Sequence, residues 1–385
     1  MNRSHLAACA LIVTGIFIAS NLYLMIPHVD YLSETYNVTK TTASLASSLF
    51  IFPYAIGLFC FGLLADRLPH RLILLTGILG LVCLTFVIGT VDNFGLFLLL
   101  RVLQGLLAAC FAPTSFAYTF LHYDGKEQAF VIAIINTGFL FAGIFGQMYA
   151  DAVFTWFNFS AIFYGCSLCY LLCWIGLASS LAKPRDASVT KPVPIRSIVS
   201  FFRFSPLQKL YVTAFFLLLT VIAFYGSLEL YLSTHPSFLP YSLQTFRLIG
   251  LLGIIPSFFA GPLVEKWGAR PLLVSMLLLM SVGFLLPSIA FHPWTLLLAS
   301  IAMIASTSLT IPMVIMLIGF YGNRARATAI SMYSFILLTG ASAGSILATF
   351  IPVQGVIGAA LIGFVFLAIT IQGLKIHQSP LTIQS

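Results

Sequence analysis

Twelve stretches of apolar residues, each about 20 long, follow one another with short polar breaks between them. They run roughly 6–26, 43–64, 72–91, 94–118, 129–150, 159–181, 209–232, 243–264, 271–291, 294–319, 327–350 and 353–375. A helix needs about 20 apolar residues to cross the hydrocarbon core of a bilayer. Irregular backbone exposed to lipid finds no partner for its N–H and C=O groups, so the stretches predict helices. Arg3 before the first apolar run gives it some likeness to a cleaved leader. Its length and the eleven spans that follow lead us to expect an uncleaved helix.

The break after the second stretch reads Gly62-Leu63-Leu64-Ala65-Asp66-Arg67-Leu68-Pro69-His70-Arg71. The break after the eighth reads Gly261-Pro262-Leu263-Val264-Glu265-Lys266-Trp267-Gly268-Ala269-Arg270. Gly, Leu, an acid, a base and a closing Arg recur in register, so the chain is two related halves, each with a charged hinge between its second and third spans. The predicted fold is all-α and membrane-integral, with twelve transmembrane helices in two pseudo-symmetric six-helix bundles. The bundles are expected at 1–181 and 209–385. A cytoplasmic linker at 182–208 carries Lys183-Pro184-Arg185-Asp186 and Lys191-Pro192-Val193-Pro194.

Composition agrees: 7% of residues are charged, 60% are hydrophobic, and mean hydropathy is +1.05. No soluble domain of this size hides so much apolar surface. On the predicted topology, 15 of the 18 Lys and Arg fall on one side of the membrane, and only Lys40 falls on the other. Asp30, Glu34, Asp92 and Asp151 share that second side. The positive-inside rule then puts both termini in the cytoplasm, which for a bacterial chain means a multi-pass protein of the inner membrane. The net charge of +8 is a topology signal, not a nucleic-acid face. Cys166, Cys169 and Cys173 share a helical face but have no His or carboxylate near them in sequence, so they read as packing residues. No Walker-type loop and no nucleophile–base constellation is visible, which argues against an enzyme and against ATP as the energy source. No cofactor or metal is expected.

Gly62, Leu64, Ala65, Asp66, Arg67 and Arg71 match the hinge signature of the major facilitator superfamily, with Pro69 and His70 where Gly and Arg are usual. Arg101, Gln104 and Gly105 match a second signature, Arg-x-x-Gln-Gly, in the fourth span. Over its whole length the chain resembles that superfamily. The stretch from Asn21-Leu22-Tyr23 to Pro27, and then Ser44 to Ser48, is similar to its bacterial drug:proton antiporter branch. The fifth span lacks the Gly-Pro pair usual in that branch and offers Gly138, Gly143 and Gly146 instead.

The resemblance implies gating by the hinges Gly62, Asp66, Arg67, Arg71 and Gly261, Glu265, Lys266, Arg270. Each hinge acid would face the positive start of a helix of the other half. Asp66 would face the start of the eleventh span near Arg324 and Arg326, and Glu265 the start of the fifth near Lys126. Arg101 lies within the fourth span, where a charge is costly unless paired. The resemblance implies a part in proton coupling; the other reading is an Arg that fixes helix packing through backbone carbonyls. Glu229 is the carboxylate clearly inside a span and the candidate proton carrier. It also has Arg247 at similar depth, so the two can instead form an ion pair at the outer gate. His28, Asp30 and His235 lie near the outer boundary and read as solvated.

Asn21, Tyr23, Tyr54, Gln104, Asn136, Tyr225 and Tyr333 are expected to border a midplane cavity that suits partly aromatic amphiphiles. With one acid against two basic residues inside the spans, the cavity favours neutral, zwitterionic or anionic ligands. The expected activity is secondary transport of a small amphiphile by alternating access, as proton-coupled efflux. An uptake symporter or facilitator for a nutrient is the alternative, and a non-transporting receptor is a third reading. The expected partners are the small-molecule substrate, protons and membrane lipid, with the chain working as a monomer.

Overall fold

The computed structural model describes residues 3–182, 204–322 and 325–374. Most of the expected linker, together with Arg324 and Lys375, lies outside them. The described residues hold twelve apolar helical spans and no strand. Eleven are long enough to cross a bilayer: α2 (Lys40–Ala65), α3 (His70–Ile88), α4 (Phe94–His122), α5 (Gly125–Trp156), α6 (Phe159–Ser180), α7 (Ser205–Thr234), α8 (Leu243–Trp267), α9 (Ala269–Ile289), α10 (Pro293–Tyr321), α11 (Arg326–Phe350) and α12 (Val353–Gln372). They are preceded by a shorter apolar helix, α1 (Arg3–Ser20). The chain is therefore an all-α multi-pass membrane protein.

Three spans depart from the lengths and regularity read from the sequence. α1 ends at Ser20 rather than near residue 26, and the chain continues through turns, a 3-10 turn at Ile26–His28 and a short helix at Val29–Thr35. α4 is broken at Ala109–Cys110. Pro113 cannot donate to the carbonyl of Ala109, and its ring crowds that carbonyl. α8 has a 3-10 middle at Leu251–Phe259, which contains Pro256. A 3-10 run that long inside a helix is unusual.

The two hinges turn differently. Gly268 has φ +79°, a conformation glycine adopts without steric penalty. Its counterpart in the first hinge is Pro69, which caps α3 at φ −56°. The proline ring fixes φ near that value, so the first hinge reaches the same helix-to-helix turn without a left-handed residue.

The chain divides into two compact units, residues 1–122 with 134–192, and residues 123–133 with 193–385. The first residues of α5 thus belong with the second unit. Within the first unit α1 packs on α6, α2 on α4, and α3 on α4 and α6. Within the second, α7 packs on α12, α8 on α10, and α9 on α10 and α12. Every one of these pairings recurs with each helix number raised by six, so the duplication read in the hinges extends to the packing of the bundles.

Candidate functional site

Arg101 is completely buried. Its Nε donates to the Ala46 carbonyl (3.0 Å), and Nη1 donates to Asn21 Oδ1 (3.0 Å) and Gln104 Oε1 (2.6 Å). Nη2 donates to the Asn21 carbonyl at 3.2 Å. The network continues outward. Gln104 Nε2 donates to Thr85 Oγ1 (2.8 Å), Asn21 Nδ2 donates to the Tyr170 hydroxyl, and that hydroxyl donates to the Phe17 carbonyl (3.2 Å). The guanidinium carbon sits 4.5 Å from the centre of the Phe50 ring.

This arrangement accounts for the Arg-x-x-Gln-Gly spacing. Three residues along a helix put Gln104 beside Arg101 on one face. A Cβ on Gly105 would lie 3.0 Å from the Phe50 carbonyl carbon, so only glycine lets α4 approach α2 closely enough to set that ring against the guanidinium. The charge is balanced without a carboxylate. It meets four oxygens, a ring face, and the negative end of α1, whose last turn frees the Asn21 carbonyl. Residues of α1, α2, α3, α4 and α6 and the turn after α1 meet in this one cluster. Asn21 and Gln104, expected along a cavity wall, are both bonded to Arg101. Tyr54 is buried and stacked on Phe50, with ring centres 5.9 Å apart.

The matching depth of the second unit is built differently. Ser300 lies as far beyond Gly261 as Arg101 lies beyond Gly62. Its hydroxyl shares a hydrogen bond of 2.7 Å with Tyr225. One turn after Tyr225 on α7 comes Glu229, whose Oε2 accepts from Arg247 Nη2 of α8 at 2.9 Å. Arg247 also lies over the Tyr225 ring, 5.5 Å from its centre. The Glu229 side chain is 63% exposed and that of Arg247 40%, so this pair is open where Arg101 is sealed.

At the second hinge, Gly261 and Glu265 sit one turn apart on one face of α8. A Cβ on Gly261 would come within 2.7 Å of the Lys126 carbonyl oxygen, and Glu265 Oε2 is 3.5 Å from Lys126 Nζ. Both side chains of this pair are well exposed. Gly62 and Asp66 have the same spacing at the end of α2, with Gly62 buried. Of the residues expected near Asp66, Arg324 lies outside the described residues, and Arg326 donates from Nε to the Gly319 carbonyl at 3.1 Å. Arg67 and Lys266 are exposed.

The closing Arg of each hinge does the same thing in its own unit. Arg71, in the first turn of α3, donates to the Ala178 carbonyl at 2.7 Å and to the Leu181 carbonyl, at the end of α6. Arg270, in the first turn of α9, donates to the Gln372 carbonyl at the end of α12. Each guanidinium satisfies carbonyls that a helix end leaves unpaired, and meets the negative end of the helix dipole.

Asn136 and Tyr333, expected at the cavity, each bury a polar atom that has no partner, Asn136 Nδ2 and the Tyr333 hydroxyl. Thr114, Thr310 and Ser331 share that property and were not read from the sequence. Tyr23 lies against α5, 3.5 Å from where a Gly143 Cβ would stand. His28, expected to be solvated, is instead buried against Phe154 and Phe159, with ring centres 4.9 and 6.1 Å away. The early end of α1 turns it inward. Asp30 is exposed and pairs with Lys40 at 2.7 Å.

Residues 9–259 match the sequence model of the Major Facilitator Superfamily. The chain is 25% identical to the uncharacterized MFS-type transporter YceJ of Bacillus subtilis, over 91% of this chain and 89% of that protein. It is 25% identical to the multidrug resistance protein MdtG of Citrobacter koseri, over 61% of this chain and 59% of that one. Among solved structures it is similar to a variant of the fucose:proton symporter FucP of E. coli, with a TM-score of 0.76 and 14% identity over 96% of this chain and 97% of that one.

Proposed function

The chain belongs to the Major Facilitator Superfamily and is a membrane transporter, and from that premise we propose that it exports a small amphiphilic molecule across a bacterial cytoplasmic membrane in exchange for protons. Its termini would lie in the cytoplasm, on the side that holds most of the Lys and Arg. Likeness to a multidrug resistance protein supports the export direction. The observation that carries the coupling is the open Glu229–Arg247 pair beside Tyr225.

Protonation of Glu229 removes the charge that holds α7 to α8 at this point; loss of the proton restores it. A gradient shifts a conformational equilibrium only where the proton binds its two states with different affinity, and Glu229→Gln tests for that. Each charge moved inward contributes about 2.3 kcal/mol per 100 mV. Arg101 enters this scheme as a positioning residue for the first unit. The hinges act as latches, Glu265 through its pair with Lys126 and Asp66 as its counterpart in the first hinge. The unpartnered polar atoms of Thr114, Asn136, Thr310, Ser331 and Tyr333 are the candidates for hydrogen bonds to substrate.

The test is proton movement in proteoliposomes under an imposed pH gradient, with panels of neutral, anionic and cationic amphiphiles. Substrate-triggered proton release by the wild type, absent in Glu229→Gln, is the expected result. Equal release from both proteins would remove Glu229 from coupling. Inward accumulation of a nutrient would overturn the export direction.

A further inference from the structure

An apolar groove of about 360 Å³ runs along the side of the second unit between α7, α11 and α12. Val212, Phe216 and Thr220 line it from α7, Leu347 from α11, and Phe364 and Leu367 from α12. Its lining on α7 extends from Val212 to Ala223, about 16 Å at the rise of an α-helix. That is the depth of one leaflet, about half of the ~30 Å hydrocarbon core. Phe216 and Phe366 on its rim are 45% and 66% exposed, so it opens sideways toward lipid.

Two cations stand at one end of it. Lys209 lies one turn before Val212, and its Nζ donates to the Thr370 carbonyl at 3.2 Å, one turn past Leu367. Arg270 reaches the Gln372 carbonyl two residues further on. The three ion pairs among the described residues lie elsewhere, and neither cation has an acid partner there. The end of α12 offers only about half a negative charge against two whole positive ones. The ammonium has three donors and the guanidinium five, so both keep donors beyond those carbonyls.

We propose that this groove binds an anionic phospholipid, with one acyl chain along α7 and α12 and the phosphate held by Lys209 and Arg270. The apolar wall accepts any acyl chain; the cation pair selects the head group. Near a membrane surface each basic residue favours an anionic lipid by about fivefold, so the two together give about thirtyfold.

The experiment is native mass spectrometry of the full chain titrated with dioleoyl-phosphatidylglycerol or dioleoyl-phosphatidylcholine. The wild type is expected to retain one phosphatidylglycerol with about thirtyfold preference. Lys209→Gln should lower that preference about fivefold, and Lys209→Arg should keep it. Gly363 lines the groove and has open space beyond it, so Gly363→Phe should fill the groove and remove both lipids. Equal retention of the two lipids by the wild type would overturn the proposal, as would a preference unchanged by Lys209→Gln. If Lys209→Gln does not fold, Gly363→Phe decides: retention of phosphatidylglycerol at the wild-type level refutes the site.

Discussion

Replacing Arg101 by Met keeps an unbranched apolar stem, though one that ends two atoms short, and removes the charge and every donor. Four hydrogen bonds are lost, to Ala46, to the carbonyl and side chain of Asn21, and to Gln104. Inside membrane proteins a side-chain hydrogen bond contributes about 0.6 kcal/mol on average and up to about 1.7. At that average, four such bonds give about 2.4 kcal/mol. The stacked Phe50 ring adds about 1 kcal/mol or more for a desolvated cation. The guanidinium's own desolvation penalty is recovered in the variant, which offsets part of the sum. The net expectation is a loss of about 3 kcal/mol, enough to populate unfolded protein in detergent. Arg101→Lys keeps the charge with three donors for four oxygens and should fall between the two. Unfolding in denaturant, followed by Trp fluorescence, reads the effect, and transport should fall in step with the folded fraction. An Arg101→Met protein with the wild-type unfolding midpoint and no proton coupling would refute this reasoning and make Arg101 a coupling group.

Three further outcomes are expected. Gly261→Val should drive a side chain against the Lys126 carbonyl and slow transport strongly, whereas Glu265→Gln should change stability by under about 1 kcal/mol because its ion pair is exposed; equal effects on transport rate and unfolding midpoint would contradict this. Arg71→Ala and Arg270→Ala should each loosen the end of one helix, seen as faster hydrogen exchange confined to the ends of α6 and α12 respectively. His28 is held below its ordinary 6.5 by burial, against smaller opposing effects from the Ala150 carbonyl and Asp151. The folded chain therefore binds fewer protons there than the unfolded one, and stability falls as pH drops below about 6.5, a dependence that His28→Phe should remove from an unfolding-versus-pH profile.

The spans and the duplication are written in the sequence because both rest on local quantities, apolar length and a repeated decapeptide. Where the spans end is less local. Nothing within α1 marks Ser20 as its last residue; the Asn21 carbonyl is taken by Arg101, which lies 80 residues further on. The spacing of Arg101, Gln104 and Gly105 puts them on one face of α4, but the oxygens around the guanidinium come from α2 and the end of α1 as well. The unpartnered hydroxyls are harder still. Thr307 and Thr310 are three residues apart on α10, yet Thr307 donates to the Met303 carbonyl at 2.7 Å, while Thr310 has no partner. A Thr in a helix usually satisfies its hydroxyl within its own turn, and its identity does not reveal when it does not.

The two units started from one plan and diverged where polar chemistry is densest. Arg101 and Ser300 occupy equivalent positions in the repeat. In the first unit a buried cation gathers five helices and is sealed from any outside partner. In the second a hydroxyl occupies that depth, and the charge stands instead on Arg247 of α8, where it faces Glu229 and is exposed. A sealed charge is stable because every acceptor is fixed, so it responds poorly to a proton or a ligand. An exposed pair contributes little stability, and for that reason it can be broken and remade at small expense. The proposed coupling rests on that contrast: the Glu229–Arg247 pair can part without opening a core, whereas Arg101 cannot lose its partners without leaving a buried charge unpaired. The closing Arg residues of both hinges kept their role, because capping the sixth helix of a bundle is required whichever unit carries the chemistry.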